Sequence, residues 1–258
     1  MERLMVLIAL ALAVAAAPVA RANPDEDTGA KPAGAAQASS ESSAGSSSAG
    51  AAAPLFVPPN RGAPMARLGG ATRSAGAQTL PRIEALVPEE PGWTLEEQPV
   101  VYWYLARPTD VRVEFVLVDL DLGEPLVQAD LPKPARAGIQ RIALADHGVR
   151  LKAGTAYQWL VKLVPNPQDR SYDRVVGGGI ERVEPSPKVR EALAQGGSRA
   201  NALASAGIWY DAVDELSRQI AAEPDDRGLW NQRAALFEQV GLPQIDLESG
   251  AAPGFDRR

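Results

Sequence analysis

The sequence has no cysteine, one histidine and few aromatic residues, 5% of 258. Without cysteine the chain has no disulfides, although exported proteins are free to use them. It also has no thiol nucleophile and no attachment point for a lipoprotein anchor. Zinc sites draw on His and Cys ligands, and one His leaves too few. That residue, His147, stands in Asp146-His147-Gly148, a turn-forming tripeptide, with no G-x-S-x-G nucleophile elbow elsewhere in the chain. A surface turn is the expected place for it. No motif implies a cofactor. Gly177-Gly178-Gly179 is not followed by the Lys-Ser/Thr of a phosphate loop; inside a strand-like stretch it marks a bulge or a close backbone approach. Asp119-Leu120-Asp121-Leu122-Gly123-Glu124 alternates Asp with Leu, where a calcium loop would keep a hydrophilic turn. It reads as the end of a strand.

Long apolar runs are also scarce. One exists, Leu4 to Ala17, about 14 residues behind Arg3, shorter than the roughly 20 needed to span a bilayer. Pro18 ends it, and Ala20-Arg21-Ala22 offers the small residues of a processing site. Residues 1–22 therefore read as a cleavable secretory signal, with Asn23 as the new N-terminus. The expected location is periplasmic or secreted, with no stable membrane insertion after cleavage. The formal charge of the chain is −6. Removal of residues 1–22 takes away Glu2, Arg3 and Arg21 and leaves 24 basic and 31 acidic residues, a charge of −7. That sign opposes nucleic acid as a partner, since such binding is driven by neutralisation of phosphates.

Residues 23–53 are mostly Ala, Ser, Gly and Pro. Such a segment cannot bury enough apolar surface to offset its ordering entropy and reads as a disordered linker. Residues 54–79 form a strap without acidic residues, in which Arg61, Arg67 and Arg73 recur among Gly and Pro. With Thr72 these Arg are candidate binding residues, since guanidinium groups match carboxylates and phosphates. The competing expectation is that they pair with acidic residues of their own domain and clasp the strap to it.

Over residues 80–186 the hydrophobic period is two. Val101, Trp103 and Leu105 line one strand face, Val111 to Leu117 a second, and Tyr157, Trp159, Val161 and Leu163 a third. Further strands are expected at 82–87, 125–130, 139–144 and 174–183. Seven short strands at this spacing predict an antiparallel β-sandwich. Leu151 to Tyr157 resembles the corner before a central strand of immunoglobulin and fibronectin III sandwiches, with Gly154 in the turn and the Tyr157 hydroxyl bonding back to upstream backbone.

Residues 187–245 change to a helical period. Trp209, Ala212, Val213, Leu216 and Ile220 fall on one helix face. Pro224 ends that helix, Asp225 or Asp226 caps the next, and Trp230, Ala234, Phe237 and Val240 form its apolar face. The spacing resembles a tetratricopeptide hairpin. A repeat array needs about three units to be stable, so a small helical extension packed on the sandwich is expected. Residues 246–258 read as a disordered tail. The fold expected is thus mainly β with α: a sandwich followed by a small helical hairpin, with Trp103, Gly154, Tyr157, Trp159, Trp209 and Tyr210 as its structural residues.

The motifs together resemble one family. Pro58 to Pro64 with Arg67 and Gly69 to Arg73, then Leu86-Val87-Pro88, then Pro99 to Leu105 are similar to the bacterial exported family called domain of unknown function 928. Leu151 to Trp159, Asp169-Arg170-Ser171, Gly179 to Val183 and Gly207 to Ala212 continue the resemblance, which spans roughly residues 56–242. Members often carry a Cys near Val164 and an aromatic residue near Gly179; this chain has neither. The family has no established activity, so the resemblance implies export and domain extent and assigns no catalytic residue.

Three functions follow as expectations. The first is a non-enzymatic envelope protein binding a partner protein or cell-surface component. The second is a carbohydrate- or anion-binding module using the Arg strap or the aromatics Trp93, Tyr102 and Tyr104, which requires those side chains to be exposed. The third is a hydrolase with spatially paired carboxylates drawn from Glu96, Glu97, Glu114, Glu181 and Asp211.

Overall fold

The computed structural model describes residues 53–59, 67–69, 80–134, 136–242 and 245, all within one compact unit, Ser47–Arg258. The expected signal, most of the linker and the tail lie outside the described residues, as do Arg61, Thr72 and Arg73.

Alternation builds the strands. β4 (Arg112–Asp119) turns Val113, Phe115 and Leu117 inward, and β7 (Ala156–Val164) turns Tyr157, Trp159, Val161 and Leu163 inward; all are buried. The two pair antiparallel, so that Phe115 stands opposite Val161 and Leu117 opposite Trp159. β8 (Arg174–Arg182) adds to β7, β5 (Glu124–Leu131) adds to the far side of β4, and β2 (Gly92–Thr94) runs parallel to β8. The sheet order is β2-β8-β7-β4-β5. A second sheet of three antiparallel strands has the order β1-β3-β6, with β1 at Ile83–Ala85, β3 at Val100–Leu105 and β6 at Gly138–Ala143. Ile83, Ala85, Trp103 and Leu105 share a buried face there. Among the described residues the fold is mixed α and β, with eight strands in two sheets, four helices and no closed barrel.

The seven expected strands correspond to β1 and β3 to β8. β2 is additional; three residues are too few to display a period. Asp119 ends β4 as a turn former: its carboxylate accepts from the Asp121 and Leu122 amides at 3.0 and 3.2 Å. His147 sits in a short 3-10 turn, half-buried, with its ring 5.3 Å from that of Phe115.

Four helices follow. α1 (Pro187–Ala194) is capped by Ser186 and α2 (Arg199–Ser205) by Ser198. α3 (Trp209–Ala222) buries Trp209, Ala212, Val213, Leu216 and Ile220, the expected face. α4 (Arg227–Gln239) is capped by Asp226, whose carboxylate accepts from the Gly228 amide at 2.7 Å. Its expected face is only partly the buried one. Gln232, Arg233, Leu236 and Phe237 are buried, whereas Trp230, Ala234 and Val240 are half-exposed. Trp230 instead donates to the Pro224 carbonyl at 2.9 Å, and the Arg233 guanidinium lies 5.1 Å from its ring centre. A buried arginine stacked on an aromatic ring rotates the packed face away from the one a hydropathy count selects. No helix among the described residues is long and apolar enough to cross a membrane.

Candidate functional site

The first turn of α3 meets both sheets, and the openings of the fold surround this junction. The Trp209 indole donates to the Leu86 carbonyl, just after β1, at 2.9 Å. The Tyr210 hydroxyl donates to the Gly179 carbonyl on β8 at 2.7 Å and accepts from the Trp159 indole on β7 at 2.8 Å. Burial pushes the Tyr210 hydroxyl pKa well above its ordinary value, so it remains a neutral donor. Glycines make the approach close enough. A Cβ on Gly92 would stand 2.9 Å from the Tyr210 ring, and one on Gly178 would stand 2.6 Å from Val87. This is the close backbone approach anticipated for the glycine run.

Asp211 extends the junction. One carboxylate oxygen accepts from the Thr94 hydroxyl at 2.5 Å and the other from the Leu95 amide at 2.9 Å. Burial raises its pKa to about 6, against the hydrogen bonds of Thr94 and Leu95, with Glu96 and Asp214 adding to the rise. The Tyr102 hydroxyl donates to Asp214 at 2.7 Å; burial first, then the Asp214 charge, raises the Tyr102 pKa.

Two openings flank these contacts. A cavity of about 330 Å3 is lined by Glu96, Gln98, Arg199, Asp211, Asp214 and Arg218. A larger cleft, of about 940 Å3, lies between the β2–β8 edge and α1 and α2. Trp93, Glu181 and Val183 form one wall, and Val189, Ala202 and Ala206 the other.

Of the five sequence-selected carboxylates, Glu96 and Asp211 share the small cavity. Glu97 bonds Arg150 at 2.7 Å. Glu114 is buried on the opposite face of β4 from Phe115, 3.1 Å from Arg170 and 3.6 Å from Lys162. Glu181 lines the large cleft. The small cavity adds Asp214, which the sequence reading did not select; its place one turn after Asp211 on α3 was the available signal. Both oxygens of Asp211 are occupied in holding α3 to the end of β2 and the residue after it, and Asp214 is held by Tyr102 and by Arg218 at 3.0 Å. These are anchoring bonds. Among the described residues no group of three or more His, Asp or Glu side chains is placed to share a metal ion.

Trp93, Tyr102 and Tyr104 do not form the exposed aromatic platform that a carbohydrate-binding reading requires. Tyr102 and Tyr104 are each 2% exposed, the first under α3 and the second with Arg82 5.7 Å from its ring centre. An alternating strand presents alternate residues to each face, and here both faces of β3 are covered. Trp93 is half-buried in the cleft wall.

Arg67 is the described member of the Arg set. Its guanidinium donates to the Val87 carbonyl at 3.3 Å and to the Val240 carbonyl, at the end of α4, at 3.0 Å. A cation there complements the negative end of the helix dipole. Its neighbour Leu68 bridges to Gly177 on β8 through amide–carbonyl bonds in both directions. Arg67 thus clasps its own short segment, residues 67–69, to the domain, using carbonyls rather than the acidic side chains expected.

Trp103 is buried in the three-stranded sheet, Trp159 in the five-stranded sheet. Gly154 has φ +74°, the left-handed turn conformation glycine favours, and the Tyr157 hydroxyl accepts from the Lys152 amide at 3.0 Å.

No curated protein matches the chain. A family model, Domain of Unknown Function (DUF928), matches residues 68–249, a span holding both sheets, the four helices and the two openings around α3, and the chain belongs to that family.

Proposed function

We propose that this chain is an exported, non-enzymatic binding module that holds an envelope protein or cell-surface component in the cleft where its sheets meet its helices. The cleft carries the reading. A ligand site is typically a concave space of several hundred Å3, mostly apolar, with a few polar groups. This one has about 940 Å3, with Trp93, Val183, Val189 and Ile208 among its lining and Glu181, Glu184 and Lys188 beside them. Asp211 and Asp214, the carboxylates of the smaller cavity, are engaged in anchoring, which favours binding over hydrolysis there.

The architecture supports the same reading. The sheet orders, with β1, β3 and β6 in one sheet and β4, β7 and β8 in the other, support reading these as strands A, B, E and C, F, G of an immunoglobulin-type sandwich. The Tyr157 contact has the form of a tyrosine corner on strand F. α3 and α4, joined by 223–226, fit a single tetratricopeptide-like hairpin. Sandwiches of this class serve widely as binding domains, an argument by analogy. The apolar run at 4–17 and the processing site at 20–22 support delivery outside the cytoplasm.

Site-specific photo-cross-linking tests the reading. A cross-linker at Val189, in chain expressed at its native level, is expected to give a discrete adduct in the envelope fraction. One at Lys133, remote from the cleft, is expected to give none. Loss of the adduct at Val189, or equal adducts at both positions, overturns the reading.

A further inference from the structure

Residues 53–59, Ala-Pro-Leu-Phe-Val-Pro-Pro, lie in a groove between α2 and the end of α4 in the manner of a bound peptide. Alternate residues face inward: Pro54 and Phe56 are buried, while Leu55 and Val57 are 65% and 47% exposed. The Phe56 ring meets the Trp209 ring edge-on at 4.8 Å between centres. The remaining contacts read backbone. The Gln239 side chain accepts from the Phe56 amide at 2.8 Å and donates to the Pro54 carbonyl at 2.9 Å, a two-point clamp. The Val57 amide donates to the Ala204 carbonyl at 3.2 Å, and the Ser205 hydroxyl donates to the Leu55 carbonyl at 3.4 Å. Gly207, at φ +77°, lets the segment pass: a Cβ there would stand 3.0 Å from the Val57 oxygen and 3.3 Å from Pro59.

We propose that this groove is a recognition site for an extended partner segment carrying one aromatic side chain between prolines, and that residues 53–59 fill it as a tethered stand-in that the partner segment displaces. The resident segment supplies the chemistry of the incoming one. Specificity is a single ring in the Trp209 pocket, and the clamp by Gln239 is indifferent to the other side chains, so any chain of that pattern satisfies it. The groove residues Ala204, Ser205, Gly207, Trp209 and Gln239 all lie within the family match at residues 68–249. The groove is also wider than its occupant. An opening of about 500 Å3 continues beside Phe56 and Pro58, bounded by Pro88, Glu89, Gln239 and Val240. Prolines favour the extended form before binding and lower the ordering cost. The tether raises the effective concentration of the resident segment, so the free chain keeps its groove filled.

The inference rests on the reading of the chain as a binding module, and its failure is separable, because it is measured on purified chain at the α2–α4 groove rather than by cross-linking at Val189. The probe is a fluorescent peptide of residues 51–60. Full-length wild-type chain is expected to bind it weakly. Full-length Phe56→Ser, with the resident anchor removed, is expected to bind at least tenfold more tightly. Adding Gln239→Ala, or replacing Phe by Ala in the peptide, should remove that gain. A folded Phe56→Ser chain that does not bind overturns the proposal, as does binding indifferent to both changes. If Phe56→Ser does not fold, a protease site placed between Arg61 and Ala66 of the wild-type chain replaces it. After cutting, the labelled peptide should exchange into the groove; an N-terminal fragment that stays bound without exchange overturns the proposal.

Discussion

The two sheets and the helical extension reach burial by different routes. The five-stranded sheet draws its core from its own alternation: residues 113, 115 and 117 meet 159, 161 and 163 across one ladder. The helical extension buries Leu203, Leu216, Leu236 and Phe237, but it also reaches outside itself. α1 buries nothing fully, and α3 places its largest side chains among residues from elsewhere in the chain, Phe56, Leu86, Gly92, Trp159 and Gly179. The sheets and helices are therefore joined through the first turn of α3. Part of the stability of the helical extension is borrowed, and what lends it is a handful of named contacts.

Trp209→Ala attacks the loan directly, and the largest effect is expected there. It deletes a fully buried ring, the hydrogen bond to Leu86 and the edge contact with Phe56. Burying such a ring and then leaving its cavity costs about 4 kcal/mol. Chemical denaturation should show that loss. Hydrogen exchange should place it across α2, α3 and the 53–59 segment while β4 and β7 keep their protection. A uniform loss over both regions would mean that the distinction between them is false.

Legibility in the sequence follows the same division. Period-two alternation is a local property, and it located β1 and β3 to β8. It missed β2, which exists because β8 offers a free edge and not because three residues prefer a strand. The Tyr157 corner was readable because donor and acceptor lie five residues apart. The helix face of α3 was readable, but that of α4 only in part, because Arg233 is buried and hydropathy counts it as surface. The site was the least legible part. Asp211 was one of five carboxylates in number only, and its bond to Thr94 joins residues 117 positions apart. Residues 54–59 were placed in an arginine strap, yet their contribution comes from Phe56, whose partners Trp209 and Gln239 are more than 150 residues away.

Asp211→Asn separates the regions by pH, with an intermediate effect. The carboxyl has a pKa of about 6 when folded, against 3.8 ordinarily. The folded chain therefore binds the proton more tightly than the unfolded chain. Stability is greatest below about pH 4, falls as pH rises from 4 to 6, and carries the full penalty above 6. Two pKa units correspond to about 2–3 kcal/mol. The wild-type chain should be harder to denature at pH 5 than at pH 7.5, and Asp211→Asn should flatten that difference. A slope unchanged by the substitution would assign the pH dependence to other groups. Because Asp211 ties α3 to the end of β2, the exchange-protected region lost at high pH should again be α3 and its neighbours.

Tyr157→Phe probes the other side of the comparison and should have the smallest effect. The ring stays buried in the five-stranded sheet, opposite Ile180 on β8 and Asp119 on β4. The substitution removes one neutral acceptor, the hydroxyl that takes the Lys152 amide. A net hydrogen bond of this kind contributes about 1 kcal/mol. The corner it closes is short, and the Leu151 amide keeps its own bond to the Glu97 carbonyl at 2.8 Å. The deficit should therefore appear as faster exchange at Lys152 and in the turn through Gly154, with α3 unchanged. The sheet loses little because each of its residues is supported by neighbours along its own ladder, whereas the first turn of α3 is tied to distant strands by single bonds. An effect of Tyr157→Phe approaching that of Trp209→Ala would reverse this ordering and make the corner, not the α3 junction, the point on which the fold depends.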